Sequence, residues 1–199
     1  MEFRREAIES KVAEDGNEAN YVFDATESRL TVKLAAAGLL SSFGHSPTLA
    51  VRKFAGEARF DPAHPERAWL RVRIRADSLE VVEGTNDRDR AEIERRTREE
   101  VLKAELHPEI IFASERIAVE KIFEGHYAAR IIGDLTLCGV TRPCEIEARV
   151  LASESMLRAS GEFSLRQSEF GIGPVTALGG AIKLKDELKL SFDIVARRA

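Results

Sequence analysis

Residues 70–76, with the sequence LRVRIRA, alternate strictly between apolar and basic side chains. Because successive side chains of a β-strand point to opposite faces, this pattern is typical of a strand with one apolar and one charged face. The same period of two recurs in residues 30–34, 146–150, 157–165 and 188–194. Further strands fit residues 50–60, 109–119 and 127–138. The chain is therefore predicted to be all-β, with roughly eight strands separated by turn signals.

One segment interrupts this period. Residues 86–106 are rich in Arg and Glu and lack the alternation of the strands. Asn86 or Asp87 can cap the N-terminus of a helix here, and Pro108 can end it. Many charged side chains at helical spacing are typical of a solvated face. The segment is therefore predicted to be one surface helix inserted between strands.

The composition is that of a globular chain with a weak and mixed charge. Of the 199 residues, 30 are Lys or Arg and 34 are Asp or Glu, which gives a formal net charge of −4. A protein that neutralises nucleic-acid phosphates usually carries a basic excess, so nucleic-acid binding is disfavoured.

Residues 1–19 are charged and nearly aperiodic, and we interpret them as an arm before a single β domain of residues 20–199.

Three features bear on the compartment. No stretch approaches ~18 consecutive apolar residues, so no transmembrane helix is expected. The basic residues that follow Met1 are not followed by the apolar segment of a secretory signal. The 2 cysteines are too few for a disulfide scaffold. Together these features predict a cytoplasmic protein.

No residue pattern for catalysis or metal binding stands out. No two of the histidines, which are His45, His64, His107 and His126, stand two or four residues apart, as the ligands of zinc and iron sites often do. The serines near His45 lack the Gly-x-Ser-x-Gly sequence of a nucleophile elbow. We therefore expect no catalytic residue, no metal site and no required cofactor. His45 itself could meet the polar head of a ligand, or it could satisfy the backbone of its own loop.

The two cysteines flank a predicted turn between two strands. The apolar residues of both strands must share one face, since a one-residue slip would bury the neighbouring glutamates. Pairing Leu135 with Cys144 satisfies this condition and places Cys138 opposite Thr141. The two thiols then fall on opposite faces of the hairpin, so both are predicted to be free.

Four motifs in the chain resemble those of the YceI-like family, in the same order. Residues 132–143, IGDLTLCGVTRP, are similar to its hairpin sequence G-D-L-T-x-x-G-V-T-[RK]-P. Residues 56–62 (GEARFDP) and 107–114 (HPEIIFAS) are similar to a strand end and a strand entry of the family. Residues 166–172 (RQSEFGI) resemble its R-S-[DE]-F-G-I element with one extra residue. The resemblance extends over residues 21–196.

The resemblance implies an eight-stranded antiparallel lipocalin-like β-barrel with one inserted surface α-helix and an apolar tunnel. It also implies binding without catalysis, because members of the family bind polyisoprenoids or other long amphiphilic lipids. We therefore expect the chain to bind a long apolar or amphiphilic ligand for storage, sequestration or transport. A polyisoprenoid, an isoprenoid quinone and a related lipid are the expected classes, and a homodimer is a further expectation.

The apolar faces and the His45 loop supply the candidate ligand-binding residues. These are Phe43, His45, Leu70, Val72, Ile74, Phe112, Leu135, Leu137, Phe163, Leu165 and Phe170. Small residues on the inward faces are expected to leave volume for a ligand, namely Gly133, Ala148, Ala159 and Gly161. Two other functions stay open. A filled interior would indicate a structural or partner-binding barrel. Convergent polar groups deep in a pocket would indicate an enzyme or stress-response barrel acting on a small reactive compound.

Overall fold

The computed structural model describes residues 19–37, 46–177 and 182–199, and these contain fourteen strands and one α-helix. The strands are β1 (Asn20–Phe23), β2 (Arg29–Lys33), β3 (Ala36–Ala37), β4 (Thr48–Val51), β5 (Phe54–Arg59), β6 (Trp69–Arg75), β7 (Leu79–Glu83), β8 (Glu109–Phe123), β9 (His126–Leu137), β10 (Val140–Ala152), β11 (Met156–Arg166), β12 (Thr176–Ala177), β13 (Ile182–Leu184) and β14 (Glu187–Arg198). The helix α1 spans Asp87–Arg96, between β7 and β8. The predicted arm lies outside the described ranges except for Ala19.

Eight of the strands form a closed antiparallel barrel. Their order is β1-β5-β6-β8-β9-β10-β11-β14, and a pairing between β1 and β14 closes the ring. Tyr21 lies opposite Arg198 and Phe23 lies opposite Ala196 in this closing pair. The predicted all-β fold, an eight-stranded barrel with one inserted helix, is confirmed.

At one end of the barrel the sheet leaves the closed ring. β14 pairs with β2 through residues 189–193, and the sheet continues from β2 to β4 and β7. The single strand predicted for residues 50–60 is therefore two strands, β4 and β5. The strand pairing is interrupted between them at Arg52 and Lys53. The backbone N–H of Arg52 donates to the backbone oxygen of Ser78, and that of Lys53 donates to the Ser78 hydroxyl oxygen. β12, β13 and β3 form a second, three-stranded sheet.

The register of the hairpin between β9 and β10 differs from the predicted one by two residues. Cys138 and Gly139 have φ angles of 50° and 76°, so both adopt left-handed conformations. Positive φ at both central residues defines the two-residue turn that fits the twist of a hairpin. Leu135 consequently lies opposite Arg142 and not opposite Cys144, and the prediction that Cys138 opposes Thr141 is wrong.

The faces of this hairpin are nevertheless as predicted. A shift of two residues leaves every side chain on its original face, because the side-chain period of a strand is two. Ile131 lies opposite Ile146, and Ala129 lies opposite Ala148, with Ala129, Ile131 and Ala148 buried. Both cysteines are free thiols, which confirms that prediction.

The inserted helix begins where its cap predicts and ends earlier than expected. The Asn86 side chain accepts a hydrogen bond from the backbone N–H of Asp89 at 3.0 Å, which caps the helix. After Arg96 the chain continues as one turn of π-helix, Thr97–Val101. Glu94 Oε1 accepts a 2.8 Å hydrogen bond from the backbone N–H of Val81 and so ties α1 to strand β7. In the described ranges, no helix is long and apolar enough to cross a bilayer.

Candidate functional site

The barrel encloses a cavity of about 530 Å³. This volume falls within the range of about 300–1,000 Å³ that is typical of small-molecule sites. Eight of the eleven predicted residues line it, namely Leu70, Val72, Ile74, Phe112, Leu135, Leu137, Phe163 and Leu165. The side chains of the barrel therefore do not fill its interior.

The alternating sequence explains why the wall is apolar. On β6, the even-numbered residues 70–74 line the cavity, whereas Arg71 and Arg73 are exposed on the outer face. The strand register carries the wall from one strand to the next, because Val72 lies opposite Phe112 and Phe112 lies opposite Leu135. The same period places five residues of β14 on the wall, namely Leu188, Leu190, Phe192, Ile194 and Ala196. The alternation indicated this face of β14, although none of these five residues was nominated.

One end of the barrel is packed with apolar side chains, and we call it the aromatic end. It consists of five buried residues, Tyr21, Phe60, Tyr127, Leu157 and Ala196. The rings of Phe60 and Tyr127 meet edge to face with their centroids 5.1 Å apart. Burial raises the pKa of the Tyr21 hydroxyl, so this group stays uncharged at neutral pH. Phe60, Leu157 and Ala196 also line the cavity and form its floor.

The opposite end carries polar residues, and we call residues 85–97 and the cavity wall beside them the helix end. The polar residues of this segment on the wall are Thr85, Asn86, Asp89, Glu92, Arg96 and Thr97. Asn86 and Glu92 are exposed and also line the cavity, so the cavity reaches the surface here. Hydrogen bonds from Arg95 lower the pKa of the Glu92 carboxyl, which keeps it ionised at neutral pH. The mouth of the cavity is therefore polar, whereas most of its interior is apolar.

The other end of α1 and the segment after it also join the wall. Ile93 lines the cavity between the polar residues of the helix, and so do Val101 and Leu102 of the turn that follows. Leu102 is buried, and its backbone oxygen and that of Val101 each accept a 3.6 Å contact from the Cys138 thiol. The helix is thus part of the ligand cavity as well as part of the surface.

Three further polar side chains lie on the wall, Arg59, Cys144 and Gln167. Arg59 lies beside the aromatic end, where its guanidinium carbon is 5.8 Å from the centroid of the Trp69 ring. Burial raises the pKa of the Cys144 thiol to about 11, so this thiol stays protonated and is a poor nucleophile at neutral pH. Gln167 is only 6% exposed, and its side-chain nitrogen donates to the backbone oxygen of Lys185 at 3.0 Å. Sequence reasoning missed Gln167, because it falls in the irregular turn after β11, where no periodicity assigns a face.

The remaining predicted site residues lie elsewhere. Phe170 is buried in the hydrophobic core and is absent from the cavity wall. Phe43 and His45 lie outside the described residues. Within the described ranges, no group of three or more His, Cys, Asp and Glu side chains could hold a metal ion.

The expectation about small inward residues needs correction. A Cβ atom at Gly133 would clash with the backbone oxygen of Ala113, and one at Gly161 would clash with that of Glu147. Neighbouring backbone therefore occupies the space that these glycines were expected to leave. Ala159 does line the cavity, whereas Ala148 is buried in the core.

Comparisons with known proteins place this geometry in context. A family model described as a YceI-like domain matches residues 21–196. No curated protein sequence matches the chain.

Solved structures share the fold at low sequence identity. The structure of BcnA from Burkholderia cenocepacia is 18% identical, has a TM-score of 0.66 and covers 87% of this chain and 98% of its own. A polyisoprenoid binding domain from Saccharophagus degradans is 12% identical and has a TM-score of 0.64, and the match covers 90% of this chain and 98% of that domain. A YCEI protein of Campylobacter jejuni is 19% identical and has a TM-score of 0.57, and the match covers 76% of this chain and 84% of that protein. At these identities the likeness shows the fold.

Proposed function

The chain belongs to the YceI-like domain family, and from that premise we propose that it binds a long apolar or amphiphilic ligand, such as a polyisoprenoid, inside its barrel. The observation that carries the proposal is the apolar cavity of about 530 Å³, which reaches the surface at the helix end. Each CH₂ group moved from water into such a cavity contributes roughly 0.8 kcal/mol. About ten such groups would outweigh the cost of immobilising the ligand.

The arrangement of polar groups supports binding rather than catalysis. Within the described ranges, the cavity wall away from the helix end is apolar apart from Arg59 beside the aromatic end, Cys144, whose thiol stays protonated, and Gln167, which does not titrate. An enzyme acting on a small reactive compound would need convergent acids, bases or a metal deep in the pocket. The Saccharophagus degradans domain, described as polyisoprenoid-binding, favours an isoprenoid as the ligand.

The proposed role is storage, sequestration or transport of this lipid. An isoprenoid quinone or a related lipid would fit the same cavity chemistry, because each combines a long apolar tail with a small polar head. Location in the cytoplasm and association as a homodimer stay predictions from the sequence.

The test is the content of the purified barrel. Protein prepared without detergent is extracted with organic solvent, and the extract is analysed by mass spectrometry. We expect a long apolar molecule in the wild-type extract and none in Phe163→Asp, because Phe163 lines the cavity and a carboxylate there would be desolvated by the bound tail. Ser164→Asp is the matched control, since Ser164 is exposed on the outer face of the same strand.

Two results would contradict the proposal. One is an empty wild-type extract together with a barrel that fails to take up an added prenyl lipid. The other is a Phe163→Asp variant that folds and retains the same molecule as wild type.

A further inference from the structure

Among the described residues of the cavity wall, one buried polar side chain carries an oxygen that can accept a hydrogen bond, and this is Gln167. Three polar residues are buried in the described ranges, Ser28, Ser78 and Gln167, and only Gln167 lines the cavity. An amide in an apolar wall is costly unless its groups find partners. Its presence therefore points to a polar atom of the ligand.

The surrounding backbone fixes this amide in position. The backbone N–H of Gln167 donates to Asp186 O at 3.0 Å, and its backbone oxygen accepts from the Ile172 N–H at 3.2 Å. The side-chain nitrogen donates to Lys185 O, and this is the side chain's one hydrogen bond to the described residues. The amide oxygen is thus the group left to interact with a ligand, and an oxygen acceptor requires a donor such as a hydroxyl.

The charges at the helix end make a phosphate an unsuitable head group. The N-terminus of an α-helix usually attracts anions. In α1, however, Asp87 and Asp89 occupy the first turn, and the Asn86 side chain already accepts from the Asp89 N–H. An anionic head that reached this end of the helix would meet two carboxylates.

Two basic residues of the helix, Arg95 and Arg96, are already paired with acidic ones. Arg95 contacts three carboxylates, those of Glu92, Glu99 and Glu100, at 2.9–3.0 Å. Arg96, which lines the cavity, contacts Glu100 at 3.1 Å. A phosphate would have to compete with these carboxylates for each guanidinium, whereas a hydroxyl would not.

We propose that the cavity selects isoprenoid lipids whose head is an uncharged hydroxyl, that Gln167 accepts the hydrogen bond from this hydroxyl, and that the carboxylates of α1 discriminate against prenyl phosphates. This proposal rests on the proposed lipid-binding function and names the head group that this function would recognise. Gln167 then determines specificity, while the apolar wall supplies affinity.

Three C20 probes test the proposal on the full chain: geranylgeraniol, geranylgeranyl phosphate and the headless hydrocarbon phytane. Their affinities are measured by displacement of a fluorescent lipid after the protein has been stripped of cargo. We expect geranylgeraniol to bind about fivefold tighter than phytane, as one net hydrogen bond would give. We expect it to bind about tenfold tighter than geranylgeranyl phosphate, because the phosphate also meets like charges.

Variants then assign the selectivity to residues. In Gln167→Leu, the affinity ratio of geranylgeraniol to phytane should fall to about one. In the double variant Asp89→Asn with Glu92→Gln, the affinity ratio of the phosphate to the alcohol should rise. Glu169→Leu is the matched control for the leucine substitution, since Glu169 is exposed on the same turn and lies off the cavity wall.

The outcomes separate this inference from the proposed function. If wild type binds the phosphate as tightly as the alcohol, or tighter, the head-group inference is overturned while lipid binding stands. If none of the three probes binds, the proposed function itself fails. Because Gln167→Leu also removes the bond to Lys185, its fold is checked by circular dichroism; if it unfolds, the wild-type series and the helix variants decide.

Discussion

At the aromatic end, five buried side chains pack against one another, and three of them form the cavity floor. At the helix end, six polar residues of the segment 85–97 line the same cavity, and the side chains of α1 that the structure describes are exposed or half-buried. The two ends therefore differ both in chemistry and in packing. Packed apolar surface stabilises the fold, whereas exposed ion pairs contribute little.

This difference suggests a division of roles along the barrel axis. A cavity that holds a lipid needs a floor that does not open and a mouth that can admit the ligand. Local opening occurs where few apolar contacts hold an element in place. α1 meets this condition, since it is held by the cap at Asn86, by the Glu94 contact to Val81 and by few apolar side chains, among them Ile93.

The largest expected effect tests the aromatic end. Phe60→Ala removes a ring that is 6% exposed and packs edge to face against Tyr127. We expect the free energy of unfolding to fall by about 3–5 kcal/mol, as is usual for the loss of a buried phenylalanine ring. Chemical denaturation followed by circular dichroism measures it. Ile122→Ala is the control, because Ile122 is 57% exposed and its loss should change stability by less than about 0.5 kcal/mol. If both substitutions lowered the free energy of unfolding by the same amount, the packing of the aromatic end would not stabilise the fold more than an exposed side chain does.

The second effect, at the helix end, should be smaller and local. Asn86→Ala removes the side chain that caps α1, and such a loss costs about 1 kcal/mol. We expect the amides of α1 to exchange with deuterium about fivefold faster, while the amides of β9 keep their wild-type rates. Asn86→Ser is the control, since a serine hydroxyl can replace the cap. If β9 also exchanged faster, α1 would be an integral part of the barrel rather than a separately opening mouth.

The sequence predicted the barrel well because period-two alternation reports directly on which face of a strand is buried. The row Val72, Phe112 and Leu135 lies on three adjacent strands, and each of its members was nominated from the sequence as a residue of the tunnel wall. The cap at Asn86 was likewise visible as a residue type before a helical segment. These features depend on local sequence, so they could be predicted.

What the sequence did not predict depends on backbone geometry or on contacts between distant segments. The hairpin register was missed because it depends on the left-handed conformation of Cys138, which few residues other than glycine adopt. The break between β4 and β5 depends on Ser78, which is distant in sequence. Gln167 was missed because its place on the wall arises from hydrogen bonds to Lys185 and Asp186 across the end of the barrel.

The smallest expected effect concerns pH and sharpens the comparison between the two ends. Hydrogen bonds from Arg95 lower the pKa of Glu92, and those from Arg98 and Arg95 lower that of Glu99. A carboxyl group with a lowered pKa in the folded state stabilises that state above its unfolded pKa of about 4.3. This contribution is lost as the pH falls below that value, because the protonated carboxyl no longer attracts the guanidinium. None of the five residues of the aromatic end carries a carboxyl group, so their packing does not depend directly on such a protonation.

We therefore expect protection of the α1 amides to fall between about pH 5 and pH 3, while protection of β9 changes less. The measurement is hydrogen exchange corrected for the intrinsic pH dependence of each amide. Arg95→Gln is the decisive variant, since it keeps a hydrogen-bonding side chain of similar length and removes the charge that lowers both pKa values. Its α1 should exchange faster than wild type at neutral pH and should lose less protection on acidification. If α1 of Arg95→Gln responded to acid as strongly as wild type, ion pairing on the helix would not be what distinguishes the mouth from the floor.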